Sequence, residues 1–254
     1  MKFKLFSSAL FFLFTASAVA PLANATIIVA PNGDATTEGN SNNVSPFSAG
    51  WFGTNPTARY QQVYNSNQFA AAGSTMDIGA IAFRFASIVA AQTETDVFPD
   101  VQIDLSTTAA AADGLSATFA NNVGANNTVV YSGPLTLVGT PLGDSPNPFN
   151  LVINLQKPFI YTPAQGNLLL DISIDGAGSF PLSALDADFT AGDGTSRVWT
   201  PFNGSVNSST GNVDTLGLVT EFLPPSGAPE PSTMAMGGLA LVAAGLLRKR
   251  RRNC

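Results

Sequence analysis

Apolar and polar residues alternate in short runs through most of the middle of the chain. In VQIDLS, Val101, Ile103 and Leu105 fall on one side while Gln102, Asp104 and Ser106 fall on the other. Leu170, Ile172 and Ile174 alternate in the same way with Asp171, Ser173 and Asp175. A period of two between turn residues predicts half-buried antiparallel strands. Eight short β-type runs recur, several of them alternating cleanly: ARYQQVYN, AIAFRFASI, DVQIDLSTT, TVVYSGPLTLV, FNLVINLQ, GNLLLDISID, SRVWT and LGLVTEF. Together they predict an all-β fold, an antiparallel β-sandwich of jelly-roll type, as one domain over residues 26–222. The stretch APNGDATTEGNSNNVSPFSAG has no period and reads as a surface loop or an extended arm. AAAADGLSATFANN reads as a short helix or a loop insertion, and no fixed-period repeat is present.

The two ends break this pattern. Lys2 and Lys4 precede an apolar run from Leu5 to Val19, which closes on Ala23-Asn24-Ala25. That order predicts a secretory signal helix over residues 1–25, cleaved after Ala25 so that the mature chain starts at Thr26. At the other end, a Pro-rich linker (223–228) leads to Pro229-Glu230-Pro231, an apolar run, and the cluster Arg248, Lys249, Arg250, Arg251, Arg252. Met234 to Leu247 holds fourteen residues without a charge. At about 1.5 Å per residue it is roughly 21 Å long as a helix, against a bilayer core of about 30 Å. Flanking residues therefore have to extend it, giving a short transmembrane helix over about 233–247. The basic cluster holds its own end in the cytoplasm, so the domain sits on the far side of the membrane.

This ending resembles the PEP-CTERM sorting signal of exported bacterial proteins, over residues 229–254. The resemblance implies recognition by a membrane-embedded exosortase that removes the tail near Pro229-Glu230-Pro231, with the basic cluster setting topology. It also implies secretion machinery and signal peptidase as partners, a transient inner-membrane stage, and display at the cell surface or release. A permanent single-pass anchor is the alternative for the tail, although its length and its glycines suit a lasting span poorly. Some ice-binding proteins carry a similar tail, but this body has no regular Thr-x-Thr ladder. The body itself resembles an uncharacterised group of proteins with the same ending, through RYQQVY (59–64), IAFR (81–84), LSTT (105–108), GNLLLDI (166–172), SRVW (196–199) and DTLGLVTEF (214–222).

Charge then narrows the partners. Between Thr26 and Ala228 only Arg59, Arg84, Lys157 and Arg197 are basic, against sixteen acidic residues, a net charge of −12. Such a surface repels nucleic acid. The single cysteine, Cys254, lies in the tail, and the chain contains no histidine. Catalytic triads that use histidine and imidazole-based zinc sites are therefore excluded.

Three candidate chemistries remain. Asp186, Asp188 and Asp193, among small residues, offer oxygen ligands for calcium. They do not make an EF-hand, because Thr190, Ala191 and Arg197 occupy its fifth, sixth and twelfth positions. No other cofactor is expected. Trp51 and Trp199 are candidates for stacking on a sugar ring, although large rings are more often core. A glycoside-acting enzyme with two carboxyls across a cleft is the enzymatic alternative, but no nucleophile motif supports it and a non-enzyme is expected. These readings converge on an exported surface or matrix protein associated with extracellular polysaccharide. A carbohydrate- or calcium-binding module is the alternative.

Overall fold

The computed structural model describes residues 26–47, 57–176, 178, 183–201 and 204–226. Among the described residues thirteen strands follow one another: β1 (Ile28–Ala30), β2 (Ser41–Asn43), β3 (Thr57–Tyr64), β4 (Met76–Phe83), β5 (Glu94–Thr108), β6 (Thr128–Gly139), β7 (Leu151–Tyr161), β8 (Asn167–Asp175), β9 (Leu185–Asp188), β10 (Thr195–Trp199), β11 (Asn212–Asp214), β12 (Gly217–Leu218) and β13 (Thr220–Leu223). One sheet runs β1-β13-β4-β7 and a larger one β11-β10-β3-β8-β5-β6, with a small third sheet β12-β9-β2. Every strand pairing is antiparallel. The two larger sheets carry four and six strands, and the expectation holds at the level of an antiparallel β-fold.

Alternation places the inner faces as the sequence predicts. Val101, Ile103 and Leu105 of β5 and Leu170, Ile172 and Ile174 of β8 are all buried in one continuous core. Rings from both large sheets meet there: Tyr64 lies edge-on to Phe222 at 4.9 Å, and Phe69 to Tyr161 at 4.8 Å. The buried tyrosines keep their hydroxyls satisfied, Tyr64 with Thr220 at 2.9 Å and Tyr161 donating to the Gly166 carbonyl at 2.7 Å. Proline cannot donate to a ladder, and two of the three register shifts in the long strands fall at prolines. The β5–β6 pairing shifts between Phe98 and Val101, around Pro99 and Pro134. The β4–β7 pairing shifts between Ile78 and Ala80, opposite a β7 segment that contains Pro158.

The segment read as a short helix or insertion is neither a helix nor a free loop. Residues 109–127 fold across the outer face of the six-stranded sheet, with a 3-10 turn at Phe119–Asn122. Leu115 and Phe119 pack on Val63, Leu169 and Val198 in a second cluster. This explains why Leu168, Leu169 and Leu170 are all buried, since their strand is covered on both faces. The stretch read as a loop or arm is an arm as far as Phe47: it leaves the end of β1 and carries a 3-10 turn at Asn32–Asp34 and β2, which pairs with β9. No described helix is long and apolar enough to cross a membrane.

Candidate functional site

Three arginines organise the body, each opposite one aspartate. Arg59 donates to both oxygens of Asp171, at 3.2 and 2.8 Å. Arg197 does the same to Asp214, at 2.7 and 3.0 Å. Arg84, only 1 % exposed, donates from Nε to Asp186 at 2.6 Å. Its Nη2 donates to the carbonyls of Asp34 and Thr37 at 2.8 and 2.6 Å, and the group lies 4.7 Å over the Phe149 ring. Planar guanidinium groups suit such multiple donation. Five of these six charged residues lie in or beside the segments that carry the resemblance of the body. RYQQVY meets GNLLLDI through Arg59 and Asp171, and SRVW meets DTLGLVTEF through Arg197 and Asp214. Gln61 donates to Asp171 at 2.6 Å, while Gln62 bridges Leu218 through both its amide atoms. These segments hold the fold together.

The acidic stretch proposed for calcium becomes strand β9 and the turn after it. Its three aspartates go to different partners. Asp186 faces Arg84 and accepts the Gly39 amide at 3.0 Å. Burial raises its carboxyl above the usual range, and Arg84 and Gly39 pull against that rise. Asp193 caps the start of β10 by accepting from the Thr195 amide at 2.7 Å. Burial pushes it up to about 6, against the hydrogen bonds from Thr195. Asp188 has a buried Oδ1 with no donor. Among the described residues, no group of three or more acidic side chains is arranged to hold a metal ion.

Asp34, which the sequence placed in a featureless arm, lies beside Asp188. It is 7 % exposed, and its Oδ2 also lacks a donor. Burial, then the Asp188 and Asp186 carboxylates, push it up to about 7. Nothing in the local sequence signals this; the β2–β9 pairing, with Arg84 bonded to both segments, brings residues 34 and 188 together.

Trp199 is engaged within the fold. Its indole N–H donates to Asp214 at 3.1 Å, and Arg197 lies 5.0 Å over the ring. Trp51, Ala23 and Ala25 lie outside the described residues. A cleft of about 410 Å³ opens instead on the outer face of the six-stranded sheet. Arg59, Gln102, Ser173, Asp100 and Asp175 from β3, β5 and β8 line its floor, with Ser132 of β6 and the loop residues Val206 and Asn207 at its sides. Gln102 and Ser173 are direct cross-strand partners, as are Arg59 and Ser173. The alternation sets Gln102, Ser173 and Asp175 on the outward face but does not place them in one trough.

Beyond β13 the chain passes Pro224 and Pro225 and enters the tail, whose Pro229, Glu230, Pro231, apolar run (233–247) and Arg248 to Arg252 lie outside the described residues. Residues 228–252 match the PEP-CTERM protein-sorting motif. The tail is a PEP-CTERM tail. A PEP-CTERM ending implies export and exosortase processing, and so a surface or secreted protein. No curated protein matches the chain, and no solved structure matches it.

Proposed function

We propose that this protein is a non-enzymatic component of the bacterial cell surface or extracellular matrix, associated with exopolysaccharide and delivered by its PEP-CTERM tail. The observation that carries this reading is the match at residues 228–252, a few residues after the last strand of the β-domain. The signal helix over residues 1–25 supplies entry to the secretion machinery, and signal peptidase cleaves after Ala25. Exosortase then acts near Pro229-Glu230-Pro231. The experiment is mass spectrometry of the protein recovered from its host, beside a strain lacking exosortase. A mature chain from Thr26 that has lost Arg248 to Arg252, and keeps them in the mutant strain, is expected. A surface form that retains the basic cluster in the parent strain overturns the reading.

The cleft favours a second layer to this proposal, binding of a saccharide. Its guanidinium, carboxylates, amide and hydroxyls suit a ligand rich in hydroxyl groups, and Val206 is the sole apolar residue among those that line it. Asp100 and Asp175 share the trough, which keeps the glycoside-acting alternative concrete. Glycan-array binding that is weakened by Gln102→Ala, without release of reducing ends, supports binding over hydrolysis. Release of reducing ends that Asp175→Asn abolishes would reverse that order.

A further inference from the structure

The arm and β9 meet at an electrostatic contradiction. Asp34 comes from the 3-10 turn of the arm and Asp188 from the end of β9, and the two carboxyls are within hydrogen-bond reach of each other. Asp34 Oδ2 and Asp188 Oδ1 are both buried, and neither has a donor. Two ionised carboxylates have only acceptors, so they cannot satisfy one another. Leaving them buried and unpaired is costly.

The neighbours offer only partial relief, since the Arg84 charge favours an ionised Asp34 while the Asp186 carboxylate opposes it. Arg84 directs Nε at Asp186 and Nη2 at two arm carbonyls. Asp186 is a third carboxylate in the same neighbourhood. The surrounding structure nevertheless clamps the two segments together. Asn40 donates to Thr190 at 2.7 Å and accepts from the Phe189 amide at 2.8 Å. A side chain at Gly39 would lie 2.3 Å from the Ala187 carbonyl oxygen, so arm and strand are in close backbone contact. The pair is thus held in place by its surroundings, with the two carboxyls within reach of each other and one buried oxygen on each without a donor.

We propose that Asp34 and Asp188 form a binding site for a hard divalent cation of the calcium class, which fastens the N-terminal arm to β9. Calcium takes oxygen ligands, carboxylates above all, in flexible geometries. One such ion neutralises both side chains at once, leaving neither carboxylate uncompensated. The site differs from the one the sequence pointed to, because Asp186 is committed to Arg84 and Asp193 to Thr195. It is also separate from the polar cleft, so saccharide binding and cation binding stand or fall independently.

The test uses the full chain in mild detergent, stripped with a chelator at pH 7.5, and CaCl2 as the probe. Calorimetry is expected to show one calcium bound per chain. A calcium concentration about a hundred times Kd should raise Tm by about 5–10 °C. Asp34→Asn supplies an amide that can donate to Asp188, so this variant should fold without the ion and lose both the heat and the Tm shift. Asp188→Asn should behave likewise, whereas Asp144→Asn, an exposed loop change, should keep the full response. No heat and no Tm shift up to about 10 mM calcium, well above the range of extracellular calcium modules, overturns the proposal and leaves a shared proton as the occupant. A response that survives in both Asp34→Asn and Asp188→Asn overturns it equally.

Discussion

Replacing Arg84 by methionine tests the central claim about how the body is held. The guanidinium is almost wholly buried, and its partner Asp186 has a side chain with 0 % exposure. Removing one member of such a pair strands the other, which typically costs about 3–5 kcal/mol. The carbonyls of Asp34 and Thr37 also lose their donor. Each such loss adds about 1 kcal/mol or more unless water reaches the group. Against a typical domain stability of about 5–15 kcal/mol, Arg84→Met should therefore remove about a third or more of the total. Urea unfolding followed by circular dichroism, with the midpoint and slope fitted together, reads the loss. The partner variant separates pairing from packing. Asp186→Leu combined with Arg84→Met deletes both charges, and the double variant should recover at least half of the loss, because an apolar pair replaces a buried ion pair at little cost. Arg84→Lys should stay well below wild type, since an ammonium cannot reproduce the planar fork that serves three acceptors. A loss under about 1 kcal/mol for Arg84→Met, or strictly additive single variants, would refute the reasoning.

Stability should also fall as pH rises in calcium-free buffer. Asp34, facing Asp188, Asp186 and Arg84, titrates near 7 when folded instead of its ordinary 3.8, and Asp193 near 6. A raised carboxyl binds its proton more tightly in the folded state, so its contribution is complete below the unfolded value and is lost as pH climbs through the folded one. Asp186 and Glu221, also raised, add in the same direction, while the lowered Glu38 opposes them. Between about pH 5 and pH 7.5 Asp34 alone is worth on the order of 2 kcal/mol. Thermal melts at the two pH values check this, and a higher Tm at the upper one contradicts it. Gly124→Ala should destabilise by about 3 kcal/mol, because the added Cβ would sit 1.8 Å from the Thr107 carbonyl oxygen, backbone against backbone. Gly33→Ala, which meets nothing within 4 Å, should stay within about 0.5 kcal/mol of wild type in the same urea assay.

The strands that were legible in the sequence are those with one apolar face and enough length to show a period. Val101, Ile103 and Leu105 announce β5 because burying one face of an antiparallel strand forces the alternation. Strands β2, β9 and β11 have three or four residues and polar or mixed content, so no period forms, and the sequence around β2 reads as a loop or arm and that around β9 as a calcium loop. The leucines at 168–170 carried a usable signal, since three consecutive buried positions require cover on both faces. What supplied that cover, Leu115 and Phe119, lay in a stretch with no pattern of its own.

The sequence by itself determined the broad class and the route. Alternation sets antiparallel β-layers, composition sets an acidic body without histidine, and the tail sets export, because each of these depends on residues near one another along the chain. The tertiary structure alone decided the sites. Asp34 and Asp188 are 154 positions apart, and Arg59, Gln102 and Ser173 reach one trough from three strands. Their meeting is a property of strand order and register, which pair distant segments through backbone hydrogen bonds that leave no mark on side-chain spacing.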